Sequence, residues 1–100
     1  MNNYQIIGKS GSPIQTDVTL HPGEVLAMEI EARNLKKTEF AGLLHIQPSQ
    51  LSELLHGKRH ISAALAIKLE QILEISAEYW MRLQVAYDLA VERQKAVASA

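Results

Sequence analysis

Gln47, Ser49, Gln50, Glu53 and His56 bring amide, hydroxyl, carboxylate and imidazole groups into one short stretch of the chain. Ser49, Glu53 and His56 recur at helical spacing opposite Leu51, Leu54 and Leu55, so one side of a helix would present short hydrogen-bonding groups. Groups of this kind suit base edges and phosphates. A carboxylate among them can accept from cytosine N4 but repels phosphate, so its role would be selective. A second chemistry is fainter: Glu53, His56 and His60 have a spacing that hints at a metal site. Gly57 stops the helix between the two histidines, however, and they do not share a helical face as zinc-binding pairs four residues apart do. Exposed surface histidines are the simpler reading, and no metal or other cofactor is expected. No glycine-rich phosphate loop follows a strand and no Ser or Asp is evidently paired with a base, so no enzyme is expected either.

The polar residues must be positioned by what precedes them, KTEFAGLLHIQPSQLSELLHG from Lys37 to Gly57. Phe40, Ala41 and Leu44 give one short helix an apolar stripe, and Leu51, Leu54 and Leu55 give a second helix another. Only His45, Ile46 and Gln47 lie between them, enough for a sharp corner. Pro48 fits the first turn of the second helix, where its missing N–H costs nothing, and Gly57 suits the left-handed residue just past its end. Ser52 is expected to face Ala41, where a small side chain permits close approach. Two helices locked at a steep angle by so short a turn form a helix-turn-helix, whose second helix can enter a DNA major groove. An ordinary helical hairpin with a solvated polar face fits the same pattern.

A net charge of -1 is not that of a nonspecific nucleic-acid coat, so the distribution of charge matters more than its sum. Lys36, Lys37, Lys58 and Arg59 are basic in and just after the hairpin, opposed there by Glu39 and Glu53; farther upstream, Glu24, Glu29 and Glu31 outweigh Arg33. One face would be basic and another acidic, which would orient the protein on DNA while keeping its sequence-independent affinity modest. The absence of cysteine excludes disulfides and thiolate chemistry and fits the cytoplasm. No apolar run approaches a membrane span and MNNYQIIGK has no signal-peptide core, so no membrane partner is expected.

One domain accounts for residues 21 to 95. Pro22 opens its first helix, which runs to about Arg33 before Asn34 ends it in a left-handed turn. Ser62 caps a fourth helix and Ser76 a fifth, while Lys68, Glu70 and Glu74 are expected to face water. Residues 1 to 20, with KSGSP as a turn among β-formers, form either a weak hairpin or a loose tail, and residues 96 to 100 are expected to fray. The fifth helix is apolar on two sides. Trp80, Leu83, Tyr87 and Val91 make one stripe, and Met81, Val85 and Leu89 recur nearly opposite. The second row must be covered by the tail or, more economically, by a partner in a symmetric homodimer. Trp80, Met81, Val85, Tyr87 and Leu89 are the candidate interface residues.

From His21 to Arg93 the chain resembles the HigA/VapI branch of the Cro/C1-type (XRE) helix-turn-helix family, antitoxins of type II toxin–antitoxin modules. The residues that carry the resemblance are HPGEVL at 21–26, PSQLSELLHGKRHIS at 48–62 and AEYWMRLQVAYDLA at 77–90. The last block, YW-x-x-LQ-x-x-YDLA, is the most specific. Three positions depart from the family pattern: Lys36 stands where a Ser or Thr cap is usual, His45 replaces a turn glycine, and Gln47 replaces a Ser cap.

The resemblance implies an all-α, five-helix, lambda-repressor-like domain and leaves the first twenty residues, read above as an extended N-terminal tail, unexplained. It also implies a cytoplasmic, nucleoid-associated protein that neutralises a RelE/HigB-like mRNA interferase and, as a dimer, represses its own operon by binding double-stranded operator DNA. Pro48, Ser49 and Glu53 would occupy the base-reading positions, with Gln47 and Gln50 nearby, and Lys37, Lys58 and Arg59 would meet the DNA backbone. Charge complementarity, rather than the resemblance, places the toxin: a nuclease that holds RNA is basic, so Glu24, Glu29 and Glu31 are its candidate contacts. The tail from Tyr4 to Leu20 would add a strand to a sheet edge, and docking on the fourth and fifth helices is the alternative. Two other functions stay open: a stand-alone repressor without a toxin, and a dimeric adaptor that has lost DNA binding.

Overall fold

Local signals mark out each helix of the computed structural model, which describes residues 19–99. The helices are α1 (Pro22–Ala32), α2 (Lys37–Leu44), α3 (Pro48–Leu55), α4 (Ala63–Leu73) and α5 (Ala77–Ser99). No strand occurs among the described residues. The expected tail falls almost wholly in residues 1–18, outside them. Pro22 does occupy the first turn of α1. Ser62 Oγ accepts from Leu65 N–H at 3.2 Å and Ser76 Oγ from Tyr79 N–H at 3.1 Å, so both serines cap the helices expected of them.

Three helices end in the same manner. Asn34, His45 and Gly57 take left-handed conformations at φ 56, 60 and 76. In each case the next residue's N–H reaches back five residues: Leu35 to Ile30 O, Ile46 to Ala41 O and Lys58 to Glu53 O. This is the Schellman closure, which satisfies carbonyls that a helix end otherwise leaves open. His45 therefore does the work of the usual glycine, in a conformation that an imidazole side chain tolerates. Lys36 makes no side-chain cap on α2, as its departure from the Ser/Thr pattern implies.

The core is built from Leu26 and Ile30 of α1, Phe40, Ala41 and Leu44 of α2, and Leu51, Leu54 and Leu55 of α3. Ile61, Ala66, Leu69, Leu73 and Trp80 close it from below. Polar side chains lace the ends of helices together across long stretches of chain. Arg33 Nη2 donates to Leu73 O at 2.9 Å, Lys68 Nζ to Leu44 O at 3.1 Å, and Glu70 Oε1 accepts from Ala77 N–H at 2.7 Å. Lys68 and Glu70 thus serve as caps for α2 and α5 rather than simply facing water.

Expectations change here for Ser52 and for Trp80. Ser52 is exposed instead of lying against Ala41. α5 continues to Ser99, because alanine-rich sequence with neither Gly nor Pro gives it no stop. Trp80 is completely buried within its own subunit, so it is removed from the candidate interface. Among the described residues no helix is long and apolar enough to cross a membrane.

Candidate nucleic-acid interface

The turn His45–Gln47 sets α3 against α2 with its leucines inward and its polar side outward. Gln47, Pro48, Ser49 and Glu53 are exposed on that side, and so is Lys37 at the start of α2. Gln50 is different. It is half-buried, and its Oε1 accepts from Gln47 N–H at 2.9 Å, the contact that the third residue of a helix makes in a capping box. Its Oε1 therefore helps to hold the first turn of α3 in shape. His56 lies beyond the helix end with Nδ1 2.7 Å from Ser52 O, a contact in which that nitrogen donates. Glu53, His56 and His60 each have a different partner and are not drawn together.

Lys58 and Arg59 follow α3 and are exposed, Arg59 donating through Nη1 to Glu53 Oε1 at 3.3 Å. The segment that carries them is braced from behind by α5. Gln84, almost wholly buried, accepts from Ile61 N–H at 2.7 Å through Oε1; its Nε2 lies 2.9 Å from both Asp88 Oδ1 and His60 Nδ1. A buried amide with its groups satisfied in this way fixes one geometry. The Gln and Asp of the YW-x-x-LQ-x-x-YDLA block are thereby explained, although nothing in helical periodicity predicts them as a clamp. The only hint is a glutamine standing in the core stripe of α5.

His21 completes the brace, and it too escapes a reading of the sequence. It is buried, its Nδ1 accepts from Gly23 N–H at 2.8 Å as the N-cap of α1, and its ring meets Tyr87 edge-on at 4.7 Å. Tyr87 is therefore engaged within its own subunit and only half-exposed, which weakens its place among the interface residues. Burial pushes the His21 pKa below the ordinary 6.5, and His60 acts in the same direction against Glu24 and Asp88. The folded chain accordingly favours the neutral ring, whose Nδ1 lone pair the cap requires. Stability linked to His21 is present above pH 6.5 and is lost as the pH falls through the depressed folded value. Thermal midpoints measured from pH 7.5 down to 5 should fall for the native chain. His21→Asn, which keeps a capping acceptor but cannot titrate, should give a flatter curve; parallel curves would reject the assignment.

The acidic residues do not form the single face expected of them. Glu24 and Glu31 are exposed and seven residues apart, hence on one side of α1, with exposed Met28 between them. Glu29 lies on another side, half-buried, with its Oε1 3.1 Å from Arg33 Nε. On α5, Val85 and Leu89 are about half exposed and Met81 is partly covered by the core. Together with Glu78, Arg82 and Ala86 they line an open apolar surface.

Residues 26–80 match the model of the helix-turn-helix family. The chain belongs to that family. It is 34% identical over 76 residues to virulence-associated protein I of Dichelobacter nodosus, an alignment covering 75% of this chain and 70% of that protein. Among solved structures, this helix-turn-helix chain superposes on an addiction-module antidote protein of the HigA family from Coxiella burnetii with a TM-score of 0.73. That pair shares 30% identity and covers 81% of this chain and 89% of the other. It superposes on Pseudomonas aeruginosa antitoxin HigA, solved with the higBA promoter, at a TM-score of 0.74 and 29% identity, covering 81% and 89%. The fold is thus that of a DNA-binding, antitoxin-like helix-turn-helix domain of the XRE type.

Proposed function

We propose that this chain is the antitoxin of a type II module, acting in the cytoplasm. As a homodimer it binds a palindromic operator and represses its own operon, and it neutralises a RelE-like mRNA interferase. The observation that carries the operator half is the exposed polar row of Gln47, Pro48, Ser49 and Glu53 on a rigidly capped α3, flanked by Lys37, Lys58 and Arg59. Its likeness to an antitoxin solved with promoter DNA supports that reading. The row offers donors and acceptors to the major groove, and the flanking cations meet phosphates on either side.

For the toxin, a nuclease that holds RNA is basic, and Glu24 and Glu31 around Met28 offer an acidic, partly apolar counterpart on α1. These residues lie on α1 and the operator row on α3, so toxin and operator can be held together, although Glu31 shares a surface hollow with Lys37. The β-forming sequence from Tyr4 to Leu20, almost wholly outside the described residues, would add a strand to a sheet edge of the toxin.

Co-expression with the neighbouring open reading frame, followed by co-purification and a gel shift on the chain's own promoter, tests both halves. The combined Glu24→Lys and Glu31→Lys variant should lose toxin binding at least tenfold and still shift the promoter. Deleting residues 1–20 should do the same if the tail participates. Full neutralisation by both variants would move the toxin elsewhere, and promoter binding with no captured nuclease would favour a stand-alone repressor.

A further inference from the structure

Glu53 is the one acidic residue of α3, and it already holds Arg59 in the absence of DNA. The backbone on either side of Arg59 is fixed. Gly57 turns the chain at φ 76, Lys58 N–H donates to Glu53 O at 2.8 Å, and Ile61 N–H is clamped by Gln84 at 2.7 Å. What stays free is the set of torsions in the Arg59 side chain, and the Glu53 carboxylate sets where the guanidinium rests. Both side chains are about half exposed, so their pairing contributes little to folding and exchanges readily for other partners.

Glu53 and a DNA phosphate compete for the same guanidinium. A duplex of arbitrary sequence offers Arg59 a phosphate but offers Glu53 nothing. Drawing Arg59 away then leaves a bare carboxylate facing the negative charge of DNA. A duplex that presents cytosine N4 at the right step gives the carboxylate a donor and releases Arg59 to the backbone. Resting on the operator-binding reading above, we propose that the Glu53–Arg59 pair couples base reading to backbone binding. Arg59 engages phosphate where a cytosine amino group relieves Glu53, and is withheld where none does. Glu53 then determines specificity by suppressing sequence-independent binding. Arg59 contributes to specificity while touching no base, which departs from the uniform effect ordinarily expected of a phosphate contact.

The test uses the full chain, a duplex selected for tight binding from a random library, and a scrambled duplex of the same composition. Affinities are measured by fluorescence anisotropy across a range of salt for the native chain, Glu53→Gln, Arg59→Ala and the double variant. Glu53→Gln should tighten binding to the scrambled duplex by about fivefold and steepen its log–log salt slope by about 0.9, the contribution of one phosphate contact. Arg59→Ala should weaken the selected duplex by about tenfold and the scrambled one by clearly less, the latter only through the Glu53 carboxylate it lays bare. In the double variant the gain from Glu53→Gln should shrink to the relief of carboxylate repulsion alone. The proposal is overturned if Glu53→Gln gains as much without Arg59 as with it, since simple repulsion then suffices. Equal losses on both duplexes from Arg59→Ala also overturn it. A native chain that enriches no sequence overturns the operator-binding reading itself, an outcome distinct from these.

Discussion

Gly23→Ala is expected to cost about 3 kcal/mol and lower the thermal midpoint by roughly 15 °C. A Cβ at Gly23 would sit 1.8 Å from Leu54 O and 2.8 Å from Leu54 C. Those are backbone atoms, so no change of rotamer relieves the overlap, and α1 must move away from α3. The displacement is not local. Leu54 O accepts from Gly57 N–H at 3.1 Å, and that turn aims Lys58 and Arg59. DNA binding should therefore weaken even at temperatures where the variant remains folded. Gly42→Ala is the control, because a Cβ there meets nothing within 4 Å and the residue lies inside α2. Alanine at an exposed helical position should stabilise by about 0.5–1 kcal/mol. Thermal unfolding followed by circular dichroism separates the two. Similar midpoints for both variants would mean that the contact of α1 with α3 is soft.

Gly23 also shows where sequence reasoning reaches and where it stops. Features fixed by a residue and its near neighbours were legible: Pro22 opening α1, Asn34 and Gly57 turning left-handed after helices, Ser62 and Ser76 as caps. Each depends on backbone preferences that act over a few residues. The αL residue Glu74 ends α4 with no such signal, because a glutamate has no particular preference for φ 60. Contacts made across the fold were not legible at all. Arg33 reaches Leu73 O forty residues on, Lys68 reaches Leu44 O, and Gln84 holds Ile61 N–H. Periodicity says only which side of a helix is apolar, and these residues look like ordinary surface or flaws in a stripe. His21 was hidden for a similar reason, since histidine is an uncommon N-cap and its burial depends on Tyr87 far along the chain.

The candidate site divided along the same line. The side of α3 that faces outward followed from the leucine spacing, and Gln47, Ser49 and Glu53 lie there. Gln50 belongs to the same side by spacing, and its Oε1 also accepts from Gln47 N–H, a contact that spacing does not reveal. The pairing of Glu53 with Arg59 depends on how the exit segment folds back, which Gly57 and Gln84 decide jointly.

The combined Val85→Glu and Leu89→Glu variant is expected to be monomeric and to lose operator affinity by on the order of 100-fold. Val85 and Leu89 lie on the side of α5 away from Trp80 and Gln84, which are buried in the subunit's own core. An apolar strip of this kind in a small domain is most economically covered by a second copy. With Trp80 sealed inside and Tyr87 turned onto His21, the strip offers the larger contact on this helix. Two carboxylates placed in its middle would meet their own copies across a twofold axis, and desolvating them costs more than the contact returns. The subunit itself should be unaffected, since both positions are about half exposed. Each monomer would then read one half-site instead of two placed about 34–36 Å apart. A duplex carrying a single half-site should consequently bind the variant and the native chain alike, while the full palindrome separates them. Sedimentation that finds an intact dimer would transfer the interface to another exposed apolar site, with Leu43 on α2 and Ile67 on α4 the next residues to change.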